Sequence, residues 1–234
     1  MAKKSFWKLP AALAISMALV LASCGGNDGP SIPTTNAGLG TSEAARTLSG
    51  YVYLVDMNDY SFTRINPGAQ ITDITSDDYL PGETGTISAE GYFTFVLPLP
   101  LPAGTTLEPF TQFFDVEDIP GASISNADAM AFAVSSFDSP GIWTPPAAPL
   151  YEGWLFRGNV GANFEESVEF IFVDRDVTLT LSQEFSSEGL TTNPFTINFA
   201  AGWNVVHFRF VPVHNGYATT VRGGEPAGLK WILD

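Results

Sequence analysis

From Leu48 to Leu233 the chain is a succession of short segments in which aromatic and β-branched residues alternate with polar ones, each closed by Gly, Pro, Asn or Asp. A period of two puts successive side chains on opposite faces of a strand, whereas an amphipathic helix needs apolar residues three and four apart. No stretch of this part carries the helical period over the length of a long helix. The pattern predicts an all-β fold, and many short strands without helices predict an antiparallel β-sandwich.

Tyr51 to Val55 is the first strong strand, stopped by Asp56 to Asp59. Thr86-Ile87-Ser88, then Ala89-Glu90-Gly91, then Tyr92 to Leu97 reads as a hairpin, with Gly91 where the turn needs positive φ. Pro98 to Pro102 ends that strand, because proline cannot donate to a ladder. Between about residues 98 and 150 the chain is rich in Pro, Ser, Ala and Asp and reads as an irregular insertion. Within it Leu107 to Phe114 and Ala129 to Phe137 resemble strands, and Ala129 to Val134 fits a short helical turn equally well. Six further strands are expected at Ser167 to Val173, Val177 to Ser182, Phe195 to Phe199, Asn204 to Val211, Tyr217 to Arg222 and Leu229 to Leu233.

The N-terminus has a different grammar. Lys3, Lys4 and Lys8 precede an apolar core from Leu13 to Leu21, followed by Ala22, Ser23 and Cys24, the only cysteine. The apolar run from Leu9 to Ala22 is shorter than the ~20 residues of a transmembrane helix and has the layout of a secretory signal. Leu21-Ala22-Ser23-Cys24 resembles the lipobox of bacterial lipoprotein precursors: aliphatic at −3, small at −2 and −1, cysteine at +1. The resemblance implies cleavage between Ser23 and Cys24, a diacylglyceryl group on the Cys24 thiol, and a fatty acid such as palmitate on the new N-terminus. It implies an extracytoplasmic protein held at the bacterial cell envelope by lipid. Gly25 in place of Asp favours the outer membrane under the family's enterobacterial sorting rule.

Three regions are therefore expected: a signal peptide over 1–23, a lipidated flexible tether over 24–46, and a β-sandwich domain over 47–234. The tether expectation rests on Gly25 to Arg46, which is rich in Gly, Asn, Pro, Ser and Thr and has little apolar surface to offset the entropy of ordering. A weaker likeness supports the fold. Gly50 to Tyr53, followed by Gly85 to Phe95, resembles the opening strands of bacterial Ig-like and carboxypeptidase-regulatory-like (transthyretin-like) modules, which implies a surface β-sandwich without catalytic residues.

Loss of Lys3, Lys4 and Lys8 with the signal leaves seven basic residues against 25 acidic ones, a net charge of −18. Nucleic acid is excluded as a partner, since its phosphates demand clustered Lys and Arg. With Cys24 acylated, the mature chain has no thiol nucleophile, disulfide or cysteine metal site.

His207 and His214 are the only histidines, and neither lies in a GxSxG setting or a zinc spacing. Strand alternation puts His207 beside Arg209 on a mixed face, where a positive neighbour opposes the protonated imidazole that a general base must form. Asp56, Asn58 and Asp59, and Asp73, Asp77 and Asp78, are candidate calcium ligands, although Asp and Asn also build turns by themselves. Carboxylate pairs for glycoside hydrolysis are too many to single one out. Trp143, Trp154, Trp203, Trp231 and the seven tyrosines supply rings for sugar stacking or for the core. Trp143, between Pro140 and Pro146, is expected at the surface as the candidate for ligand stacking, and Trp203, after Gly202, is expected to anchor packing. The expectation is a non-catalytic structural or binding module at the envelope, with a glycan or protein partner and no resident cofactor. The alternatives are a carbohydrate-binding module, a calcium-stabilised adhesin or a glycoside hydrolase.

Overall fold

The computed structural model describes residues 32–65, 72–75, 80, 83–142, 151–187 and 189–233, with only the backbone for 72–75, 138–142 and 151–154. In chain order the first elements are β1 (Thr34–Asn36), α1 (Glu43–Arg46), β2 (Thr47–Asp56), β3 (Ser61–Arg64), β4 (Thr72–Thr75), β5 (Thr84–Ile87) and β6 (Tyr92–Val96). There follow β7 (Glu108–Pro109), α2 (Phe110–Phe113), β8 (Ala122–Ile124), β9 (Met130–Val134), β10 (Phe137–Ile142), β11 (Tyr151–Gly161) and β12 (Phe164–Val173). The last are β13 (Val177–Leu181), β14 (Phe185–Ser187), β15 (Leu190–Thr192), β16 (Phe195–Phe199), β17 (Gly202–Val213), β18 (Gly216–Gly223) and β19 (Lys230–Leu233).

The chain forms a β-sandwich. A small sheet in the order β1-β16-β13-β8 packs on one end of a large sheet that runs β10-β4-β5-β6-β2-β19-β11-β12-β17-β18-β15-β14. Alternation decides which residues meet between them. Val177, Leu179 and Leu181 of β13 and Phe195, Ile197 and Phe199 of β16 point inward onto Val206, Phe208 and Val221, while Thr178, Thr180, Thr196 and Asn198 are only partly buried on the other face. The other end of the large sheet curls until β10 pairs with β11 as well as with β4, so its edge strands cover one another. Inside this closure lie Val52, Ile87, Phe93, Phe95, Phe137, Leu155, Trp231 and Leu233.

β12 and β17 carry both cores. Val168, Phe170, Trp203 and Val205 join the aromatic cluster on one face, and Ile171, Val173, Val206 and Phe208 join the sandwich core on the other. That explains why burial is continuous from Trp203 to Phe208, where a strand covered on one side would alternate.

Several expectations change. Pairing is mostly antiparallel, but β1–β16, β15–β18 and β19–β2 are parallel. The hairpin at Gly91 forms as expected, with φ +74° at the glycine and its N–H donated to the Ser88 carbonyl. Leu107 to Phe114 is not one strand: two residues pair as β7 and the chain then turns into α2, which buries Phe110 in the sandwich core. Ala129 to Val134 resolves to strand, since Met130 to Val134 form β9 against β7 and β12.

The folded part also begins inside the segment expected to be a tether. Thr34 to Asn36 pair with Thr196 to Asn198, Ala37 is 1% exposed, and Ser42 caps the single turn α1 by accepting from the Ala45 N–H. Composition concealed this because the segment adds little apolar surface of its own. Its backbone instead supplies hydrogen bonds to β16 and β17 along the open side of the sandwich. No helix among the described residues is long and apolar enough to cross a membrane.

Candidate functional site

The outward face of β2, β3 and β6 gathers aromatic rings and cations. Val52 of β2 is fully buried, so its neighbours Tyr51 and Tyr53 face outward by the period of two. Tyr51 lies opposite Tyr92 of β6, and the rings meet edge to face with centroids 5.1 Å apart. Both remain 40% exposed. The Arg64 guanidinium of β3 lies 3.5 Å over the Tyr51 ring, and its Nε and Nη2 donate to the Glu90 carbonyl at 3.1 and 2.7 Å. Phe62, two residues before Arg64, stands edge-on to Tyr53 at 6.4 Å and under the Lys230 ammonium at 4.3 Å.

Polar groups border these rings. The Tyr92 hydroxyl donates to Ser49 Oγ at 3.3 Å, and the Ser88 hydroxyl donates to Glu90 Oε2 at 2.8 Å. The Ser88 hydrogen bond and the Glu90 backbone N–H hold the Glu90 carboxyl below the usual glutamate range, so it is ionised at neutral pH. The turn that presents Glu90 is tied to β2 and packed close against β3. Val52 N–H donates to the Gly91 carbonyl, and a Cβ on Gly91 would run into the Ile65 backbone. A ladder of rings and guanidinium held by cross-strand pairing offers π surface beside a carboxylate, hydroxyls and cations.

His207 is the second polar cluster. It is 1% exposed, which corrects the expectation of a mixed face, because β17 is covered on both sides where His207 sits. Its Nδ1 accepts from Arg222 Nε at 3.1 Å, so the neutral ring carries its proton on Nε2, an assignment made from the hydrogen bond. Nε2 faces Glu166 Oε1 at 3.7 Å, beyond hydrogen-bond range, and Arg209 Nη1 reaches the same oxygen at 3.2 Å. Burial, with Arg222 and then Arg209 adding to it, pushes the imidazole down to about 4. Such a ring is a poor proton acceptor at neutral pH. Arg157 pairs with Glu225 at 2.6 Å and leans on the Trp231 ring.

On the opposite face of β12, Glu169 keeps some accessible surface but is crowded enough that desolvation raises its carboxyl to about 7. At the open end of the sandwich Phe114, Leu181, Phe195, Phe208 and Val221 line an apolar recess of about 430 Å³, counting the part open to solvent.

Asp56 Oδ1 accepts from the Asn58 backbone and side-chain N–H groups, and Asp59 Oδ1 accepts from the Ser61 N–H. These oxygens serve the β2–β3 turn. Asp73 lies in β4, where the backbone alone is described, and Asp77 and Asp78 lie outside the described residues. No three His, Cys, Asp or Glu side chains converge to hold a metal among the described residues.

Trp143, Ser23 and Cys24 also fall outside the described residues. Trp203 is the packing anchor that Gly202 suggested: it is 2% exposed and donates to the Pro98 carbonyl at 2.7 Å. Trp231 is 1% exposed in the aromatic core. Phe62, Arg64, Glu90 and Lys230 were not legible as partners of the tyrosines, because only the β2–β3, β2–β6 and β2–β19 registers bring them together. The alternation of Phe62 and Arg64 in Ser61-Phe62-Thr63-Arg64 was the one available signal.

No family model matches the chain, and no curated protein or solved structure matches it.

Proposed function

We propose that this protein is a lipid-anchored, extracytoplasmic module of the bacterial cell envelope that binds extended saccharide chains on the outer face of β2, β3 and β6 and carries out no catalysis. The lipobox-like Leu21-Ala22-Ser23-Cys24 supports the address. The pairing of exposed Tyr51 and Tyr92, with Arg64 stacked on Tyr51, carries the binding reading. Sugars present C–H faces that pack on aromatic rings and hydroxyls that bond to carboxylate and guanidinium groups. This face sets both kinds of group side by side on rigid strands. A non-catalytic role accords with His207, a buried ring held neutral between two arginines.

The test is retention of the protein on immobilised envelope and extracellular polysaccharides, followed by Tyr92→Ala. Loss of one stacking ring should weaken binding by roughly fivefold, the order of 1 kcal/mol that an aromatic contact contributes. The variant should keep its melting temperature within a few degrees, because the ring lies on the outer face, 40% exposed, and belongs to neither core. Absence of retention on every polysaccharide, or undiminished binding by Tyr92→Ala, rejects this face as a saccharide site.

A further inference from the structure

The path of the N-terminal segment shows toward which end of the domain the chain runs as it approaches residue 32. Leu39 N–H donates to the Trp203 carbonyl, the Ala37 carbonyl accepts from Val205 N–H, and Thr35 Oγ1 accepts from the N–H of Gly223, which lies opposite Val206. Each step toward the N-terminus thus moves along β17 in the direction of the β17–β18 turn. By that spacing Pro33 stands near the level of Arg209, and the turn projects about four residues further, roughly 13 Å at the rise of a strand.

The hairpin tip is unusual for this chain. Val213 and Tyr217 are 49% and 46% exposed, and they flank the two-residue turn His214-Asn215 beyond Phe210, the last β17 residue in the ladder with β12. From Gly189 to Gly224 the sequence has no Asp or Glu, although the chain has 25 of them, and Arg209 and Arg222 lie in the same stretch. An acidic protein is repelled by an anionic leaflet, and the tip from Val211 to Ala218 carries no carboxylate, while Glu165 and Glu166 of β12 lie opposite Phe210 and Arg209 behind it. Tyrosine with an aliphatic neighbour suits the headgroup boundary, where one end of the ring is wet and the other apolar.

We propose that the β17–β18 hairpin tip inserts Val213 and Tyr217 into the headgroup boundary of the bilayer that holds the chain, as a second membrane contact beside the lipid. This rests on the lipoprotein reading of Cys24. The nine residue steps from Cys24 to Pro33 reach at most ~30 Å, so the bilayer surface is never far from the end toward which the chain runs. The acyl chains on Cys24 anchor the chain but leave the domain free to turn on its linker, and a contact at the protein surface fixes how the domain faces the membrane.

The experiment uses the full-length chain, purified after processing and reconstituted in vesicles of phosphatidylethanolamine and phosphatidylglycerol. Intact mass reports whether Cys24 is acylated. A polarity-sensitive fluorophore is placed on Val213→Cys, on Tyr217→Cys in a second protein, and on Ser123→Cys of the exposed β8 face as a reference. On acylated protein both tip labels should brighten at least twofold on reconstitution and be quenched by lipids carrying a quencher in the upper acyl chain, while the Ser123→Cys label should not change. Tip labels as water-like as the reference on acylated protein would overturn the proposal. A chain whose mass shows no acyl group overturns the lipoprotein reading instead, and the membrane contact with it.

Discussion

His207 shows how one residue ties burial to pH. Its folded value of about 4 lies below the ordinary 6.5, so between those pH values the unfolded chain binds more protons than the folded one. Stability linked to this ring is full above pH 6.5 and is lost as pH falls toward 4. Glu169 has the opposite sign: with its carboxyl raised to about 7, its contribution is present at low pH and is lost as pH rises through 7. A comparison with His207→Gln separates the two, because glutamine still offers an acceptor to Arg222 and does not titrate. Urea unfolding at pH 7 and pH 5 should show the wild type losing roughly 1–2 kcal/mol relative to the variant over that interval. Parallel pH profiles for the two proteins would exclude His207 as the group responsible.

At the scale of elements, the residues around β1 separate tether from fold. Ala37 is 1% exposed, and its backbone bonds to Asn198 on the small sheet and Val205 on the large one. A carboxylate there would be buried without a partner. Ala37→Asp is therefore expected to destabilise the domain by about 3 kcal/mol or more, whereas the same change in a free linker would stay within ~0.5 kcal/mol. Chemical denaturation of the variant decides between them. The segment escaped detection in the sequence because its contribution is backbone hydrogen bonding, to which hydropathy patterns are blind. The opposite error, reading Leu107 to Phe114 as one strand, arose because Phe110 and Phe114, four apart, fit one face of a strand as well as one face of a helical turn over so few positions.

For the whole molecule, the decisive feature is that β12 and β17 serve two cores at once. Phe93 packs in the aromatic cluster and Leu179 in the sandwich core, yet both cores rest on the same two strands. Phe93→Ala and Leu179→Ala should each cost about 2–5 kcal/mol and should shift a single transition that tryptophan fluorescence and far-ultraviolet circular dichroism report at the same denaturant concentration. Two separated transitions would mean that the cores fold independently. The sequence by itself determined the all-β class, the strands at Val177, Phe195, Asn204 and Tyr217, and the hairpin at Gly91, because alternation and turn chemistry act between near neighbours. It also carried Leu21-Ala22-Ser23-Cys24, whose resemblance to a lipobox is a matter of adjacent residues. Only the tertiary structure decided that β10 closes onto β11, that His207 is buried, that Thr34 to Asn36 belong to the fold, and that Tyr51, Tyr92 and Arg64 form one face. Each of these depends on which distant strands pair and in what register, and a one-residue shift in register would turn every one of those side chains to the other side of its sheet.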